Sequence, residues 1–318
     1  MSGYVNLLLA GLLGISPELA LENTNIIGYD QGQDFSDLNR LRADLTLEHE
    51  QYPDLGGKLI IDNKTKYTAS PDSLQNRTSI YRGYLQYRGT THFWSVGRQR
   101  IPLGVGRIWN PIDVFNPIDS EAVEPDERLG TESIRYEYAL NELSNLDATL
   151  AQGKGAVRLK GFLDAADVAL IGLWDEGDQD IIGWELAGQL LETGIEVRSE
   201  GGSFHNRSSG ERHTEFILGA EYGFPNSLTL LAEYKYSDED GSDYLAGLAS
   251  VQPALLWSCS LLLLSNLNDQ SGFIAPSVQY SLSDEMTLHA GAFIYYGDEE
   301  DAFGTAEERY FLRWFVHF

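Results

Sequence analysis

The chain has 318 residues, with 22 Lys and Arg against 48 Asp and Glu, a formal net charge of −26, and one cysteine, Cys259. So acidic a chain lacks the basic patches that nucleic-acid binding needs. A lone cysteine excludes an intramolecular disulfide, a metal site built on several cysteines and a CxxCH haem attachment, so no cofactor is expected. Mean hydropathy is −0.26, and the longest apolar runs, at residues 5–15 and 254–264, fall short of the ~20 residues that a spanning helix requires.

The run at 5–15 has the length of a secretion-signal core, with Ser16 or Ala20 to end it, although no Lys or Arg precedes Arg40. The expectation is a signal peptide over 1–20 and a single domain over 21–318. Strand-like segments then recur every ~15–20 residues between Gly, Asn, Asp, Ser and Pro. They lie at 40–48, 79–88, 93–101, 132–140, 146–152, 157–162, 168–174, 181–190 and 195–199. The series continues at 215–224, 228–236, 243–251, 255–265, 273–282, 286–296 and 309–318, with a weaker strand near 23–30. Alternation is plain at 228–236, where Leu228, Leu230, Ala232, Tyr234 and Tyr236 share one face against Thr229, Glu233 and Lys235. Charge on the second face of strand after strand implies a wet interior, and aromatics on the apolar faces favour a lipid exterior over a soluble sandwich.

Links fall into two classes. Short ones lie at 89–91, 141–145, 192–194, 225–227 and 283–285, and long ones at 62–77, 101–130, 200–212 and 297–308. Membrane barrels keep short turns on the periplasmic side and long loops outside, and with residue 318 periplasmic this parity gives about 18 strands, with about 16 as the nearest alternative. The acidic clusters at 175–180, 238–243 and 298–301 then face outward. There they could share divalent cations with lipopolysaccharide phosphates or concentrate cations at a pore mouth. Asp238, Asp240, Gly241 and Asp243 have the look of a calcium loop but lack its distal Glu, so a solvated loop is expected and no metal site.

The least ordinary stretch is Gly97-Arg98-Gln99-Arg100-Ile101-Pro102-Leu103-Gly104-Val105-Gly106, followed by Arg107-Ile108-Trp109-Asn110-Pro111-Ile112-Asp113-Val114-Phe115-Asn116-Pro117. Glycines free its backbone, and two Asn-Pro steps force turns. Ile108, Trp109, Val114 and Phe115 are too apolar for an exposed loop, so it is expected to fold back into the lumen and pack on the wall. Arg98, Arg100, Arg107 and Arg128 are candidates for a basic face at the constriction, with Asp113, Asp119 and Glu121 opposite. Such opposed charges set a transverse field that selects solutes. Arg82, Arg88, Arg135, Arg158 and Arg198 extend the basic series. Alternatively, these arginines neutralise acidic neighbours in a plugged lumen.

The last strand places Tyr310, Leu312, Trp314, Val316 and Phe318 on one face, with Arg313 and His317 on the other. This ending resembles that of bacterial outer-membrane β-barrel proteins, and the Gly-Arg-Gln strand with its Trp-Asn-Pro loop resembles porin-like members of that group. The resemblance implies an all-β, transmembrane antiparallel β-barrel in the bacterial outer membrane, with the terminal strand read by the barrel assembly machinery. It implies a porin-like channel for passive or weakly selective diffusion of small solutes or ions, lying among lipid and lipopolysaccharide, with a homo-oligomer left open. A scaffold barrel sheathing a periplasmic electron carrier or export component is the alternative. An outer-membrane lipid-modifying enzyme ranks lower, because no histidine lies in an HExxH pattern and no serine in a nucleophile elbow, and no catalytic residue is assigned.

Overall fold

The computed structural model describes residues 14–30, 35–69, 72–116, 127–239 and 241–318. Alternating β-branched, aromatic and polar residues produce strands throughout, and among the described residues there is no helix long and apolar enough to cross a membrane. The first six strands are β1 (Ile15–Asp30), β2 (Phe35–His49), β3 (Leu55–Ala69), β4 (Asp72–Arg88), β5 (His92–Gln99) and β6 (Thr131–Asn141). The next six are β7 (Ser144–Ala151), β8 (Lys154–Leu163), β9 (Ala166–Asp175), β10 (Gln179–Gln189), β11 (Glu196–Asn206) and β12 (Arg212–Gly223). The last six are β13 (Thr229–Ser237), β14 (Ser242–Ala254), β15 (Trp257–Asn266), β16 (Gly272–Ser281), β17 (Met286–Tyr296) and β18 (Arg309–His317).

Each strand pairs antiparallel with its sequence neighbours, and β1 pairs with β18 to close one 18-stranded barrel. Closure removes the unpaired edges that lipid would not tolerate. Phe318 adds to the seam by donating its backbone N–H to the Leu21 carbonyl at 2.9 Å.

Two expected links are strand instead. Residues 62–69 and 72–77 belong to β3 and β4, which pair from Leu55↔Tyr87 to Ala69↔Asp72. Their polar composition suggests a loop, but Asn63, Thr65, Asn76 and Thr78 join across the ladder by side-chain hydrogen bonds of 2.7–3.3 Å. Most of 200–212 is likewise strand, because Gly201 sits in register between Trp184 and Phe216. At the N-terminus β1 opens at Ile15, so residues 15–20 pair with residues 44–49 of β2; residues 1–13 of the expected signal lie outside the described residues.

The two faces differ as a membrane barrel requires. Outward alternation leaves Leu170, Ile182, Leu218, Leu230 and Leu245 exposed, while Ile217, Glu200 and Glu233 are buried on the inner face. Exposed rings gather near the turns at the end carrying Phe318 (Tyr87, Trp94, Tyr138, Phe224, Trp257) and at the opposite end (Tyr29, Trp174, Tyr296, Tyr310). Aromatic girdles of this kind sit at the two lipid–water boundaries. The links at 297–308 and, over the described residues 100–116, after β5 stay irregular, and they lie with the acidic clusters at the end opposite Phe318.

Candidate functional site

The link between β5 and β6 leaves the rim and turns into the barrel. Ile101, Leu103, Ile112 and Phe115 form one buried cluster with Ala156 of β8, Ile171 and Leu173 of β9, Ile181 of β10 and Phe204 of β11. Burying four such side chains stabilises the inward position by about 6–12 kcal/mol as an upper figure. Asn116 closes the base of this tongue: its Oδ1 accepts from Ile101 N at 3.0 Å and its Nδ2 donates to Ile101 O at 2.6 Å. Lys154 of β8 donates to the Val114 carbonyl at 2.8 Å.

Three wall carboxylates hold the tip. Glu185 of β10 accepts from Gly104 N at 2.8 Å, and Glu200 of β11 accepts from the amides of Val105 and Gly106. Glu233 of β13 accepts from Arg107 N at 2.9 Å, Ile108 N at 3.1 Å and Trp109 N at 2.8 Å. Glu185 and Glu200 stand directly opposite in the β10–β11 register, a repulsive pairing for like charges. It is offset because Arg158 of β8 pairs with Glu185 while the Val105 and Gly106 amides donate to Glu200. The close approach needs glycine: a Cβ on Gly104, whose φ is +91°, would come 2.6 Å from Glu200 Oε2, and one on Gly106 would come 1.9 Å from Trp109 O.

The residues expected to form the constriction divide. Arg100 is exposed and lines a cavity of about 350 Å³ with Lys58, Arg82, Arg88 and Arg135, all on one sector of the inner wall. Arg98 instead follows Trp94 and Val96 in the outward series, pairs with Glu132 at 3.6 Å and donates to Ile80 O at 2.8 Å. Arg107 reaches Glu221 of β12 at 3.4 Å from the tongue tip. Asp113 accepts from Asn116 Nδ2 at 2.7 Å. Burial pushes its carboxyl above the ordinary 3.8, against the lowering effect of Asn116, Arg128 and Arg100. Arg128 lends its carbonyl to Arg82 at 2.6 Å. Asp119 and Glu121 lie outside the described residues. Of the packing residues, Phe115 is buried, while Ile108 and Trp109 are half-buried at the tip, where Trp109 meets the Tyr244 ring at 6.2 Å.

The arginine series is largely paired. Arg42 binds Asp62 through two 2.7 Å bonds and Glu127 at 3.0 Å. Arg135 binds Asp147 at 2.6 Å, and Arg198 binds Glu221 at 2.9 Å. Arg42 and Arg82 also cover the Tyr81 ring at 4.2 and 4.1 Å. Composition conceals the anchoring glutamates, because in the sequence they are only charged alternates on the inner face.

At the acidic end, Asp238 accepts from Thr214 N and Asp243 from the Tyr234 hydroxyl, as in a solvated loop. His213, Glu215 and Glu239 bring ligand atoms within 4.8 Å of one another, but Lys235 already holds Glu215 at 3.5 Å.

With this geometry in view, the solved structures that resemble the chain are outer-membrane porins. OccK5 (OpdH) of Pseudomonas aeruginosa matches with a TM-score of 0.68 and 9% identity over 95% of this chain and 97% of its own. OccD3 (OpdP) of the same organism gives 0.64 and 8% over 95% and 91%. OmpF of Salmonella typhi, solved with daunomycin, gives 0.58 and 13% over 96% and 98%. The fold is that of an outer-membrane porin. No protein-family model and no curated protein matches the sequence.

Proposed function

We propose that the protein is a channel of the bacterial outer membrane, through which small solutes or ions diffuse passively or with weak selectivity. The observation that carries this is the tongue, which enters the lumen from the loop end and is fastened to the far wall by Glu185, Glu200 and Glu233. A segment fixed across a wet lumen sets the pore's narrowest section, and the charges beside it set its ionic preference. The reading assigns no catalytic residue and no cofactor. It leaves the barrel assembly machinery, lipid, lipopolysaccharide and solutes as the partners. Purified protein should insert into planar bilayers in discrete conductance steps in KCl. Folded, heat-modifiable protein that inserts without conducting would refute the channel and favour the sheathing scaffold.

A further inference from the structure

At the loop end, β12 and the link after β13 bring metal-ligating groups together. His213 and Glu215 of β12 are two residues apart, so both take the inner face that Ile217 also occupies. Across the ladder Glu215 stands opposite Ser237, the last residue of β13. The chain then passes Asp238, which is tied twice to Thr214. Its N–H donates to the Thr214 carbonyl at 3.2 Å, and its carboxylate accepts from the Thr214 amide. Because Thr214 lies between His213 and Glu215, these bonds hold the following residue, Glu239, beside both. His213 is steadied in turn by Phe204, with the two rings 4.7 Å apart and 6° from parallel. Phe204 belongs to the buried cluster that receives the tongue.

One imidazole atom faces both carboxylates. His213 Nε2 lies 3.6 Å from Glu239 Oε2 and 3.9 Å from Glu215 Oε1, and the three ligand atoms fall within 4.8 Å of one another. Neither distance is a hydrogen bond. Atoms bound to one tetrahedral zinc ion, at ~2.0–2.2 Å from it, stand roughly 3.3–3.6 Å apart. Lys235 takes the other oxygen of Glu215, Oε2, at 3.5 Å and leaves Oε1 toward His213. One nitrogen with two carboxylate oxygens suits a borderline metal, whereas calcium and magnesium favour oxygen ligands throughout. Glu239 is exposed, so an aqueous ion can reach the group and keep water as its fourth ligand. We infer that His213, Glu215 and Glu239 bind a divalent transition-metal ion of the zinc class at the loop-end mouth. The site is separate from the tongue anchors and stands whether or not the barrel conducts.

The test is calorimetric titration of ZnCl2 into the folded, tag-free full chain in detergent at neutral pH, with MgCl2 in excess. One zinc ion per chain should bind. Glu239→Gln, a change in an exposed link, should weaken binding by about tenfold or more, since even a lost supporting partner of a ligand costs that much. Glu299→Gln, in the acidic link at 297–308, should leave it unchanged. Cu2+ bound in place of zinc should show imidazole nitrogen hyperfine structure by electron paramagnetic resonance, and His213→Ala should remove it in protein that still migrates as a folded barrel. If His213→Ala does not fold, Glu239→Gln decides. Zinc displaced by magnesium, or weakened equally by Glu299→Gln, would be a diffuse counterion of the acidic loops and overturns the proposal. Affinity unchanged in Glu239→Gln, or copper without nitrogen hyperfine structure, places the ion elsewhere and overturns it too. No zinc binding leaves His213 as an imidazolium paired with the two glutamates, and likewise overturns it.

Discussion

Replacing Glu233 by Gln should unlock the tongue tip without unfolding the barrel. The carboxylate is fully buried and accepts amides from Arg107, Ile108 and Trp109 at 2.9, 3.1 and 2.8 Å. Hydrogen bonds to a charged group are worth about 1.5–3 kcal/mol each, and a buried donor left unpaired costs a similar amount. Gln keeps one acceptor oxygen but turns an NH2 group toward donors, so one or two of these bonds are lost. A loss of about 2–4 kcal/mol lowers the tip's docked-to-undocked ratio roughly 30- to 800-fold. The tongue base stays put, because its apolar cluster and the Asn116 clamp do not involve Glu233. Single-channel recordings should therefore show excursions from the wild-type conductance toward a higher level. Excising residues 105–114 should make that higher level permanent. A Glu233→Gln channel as quiet and as conductive as the wild type would show that the tip does not bound the pore.

Three further expectations concern charge and assembly. Arg100→Gln should shift reversal potentials toward cation preference, whereas Arg98→Gln should move them little, because Arg98 lies in the outward series with Glu132; equal shifts would refute this division. Deleting Phe318 removes the backbone bond to Leu21 that helps close the seam, so heat-modifiable protein in the outer membrane should fall sharply; normal assembly would show that the terminus is dispensable. Asp113, its pKa raised chiefly by burial, should protonate before ordinary aspartates as pH falls. Its ionised form costs stability above that pKa and the cost is relieved below it, so the tongue should tighten slightly on mild acidification. The lost negative charge near Arg100 and Arg128 should move selectivity toward anions as the pH falls; an identical pH response in Asp113→Asn would show that another group titrates.

The barrel was legible because its physics is periodic. A face that alternates Leu228, Leu230 and Ala232 with Thr229 and Glu233 states its two solvents outright, and closure follows from the number of reversals. The inward tongue was legible for another reason: Phe115 in a loop needs a surface to cover it. Its anchors were not. A glutamate that accepts backbone amides leaves no partner in the sequence, so Glu185, Glu200 and Glu233 look like any wet wall residue. The β3–β4 and β11–β12 extensions were hidden because Asn, Thr and Gly suggest turns, while cross-strand hydrogen bonds and ring packing make them strands.

The inner rings of β18 did leave a mark in the sequence, in the breaking of the alternation itself. In β18 Tyr310 is followed by Phe311 and Trp314 by Phe315, so rings occupy both faces of a strand whose inner face ought to be polar. Arg309 and Arg313 are the charged inner positions before His317. The chain's acidity bears on this less than its total suggests. The acidic clusters sit at the loop end, the wall glutamates are engaged by amides and Arg158, and Arg42, Arg135 and Arg198 are paired. A solute at the tongue therefore meets the exposed Arg100, an environment opposite in character to a net charge of −26. On the channel reading, ionic preference should therefore follow the charges exposed beside the tongue rather than the bulk composition.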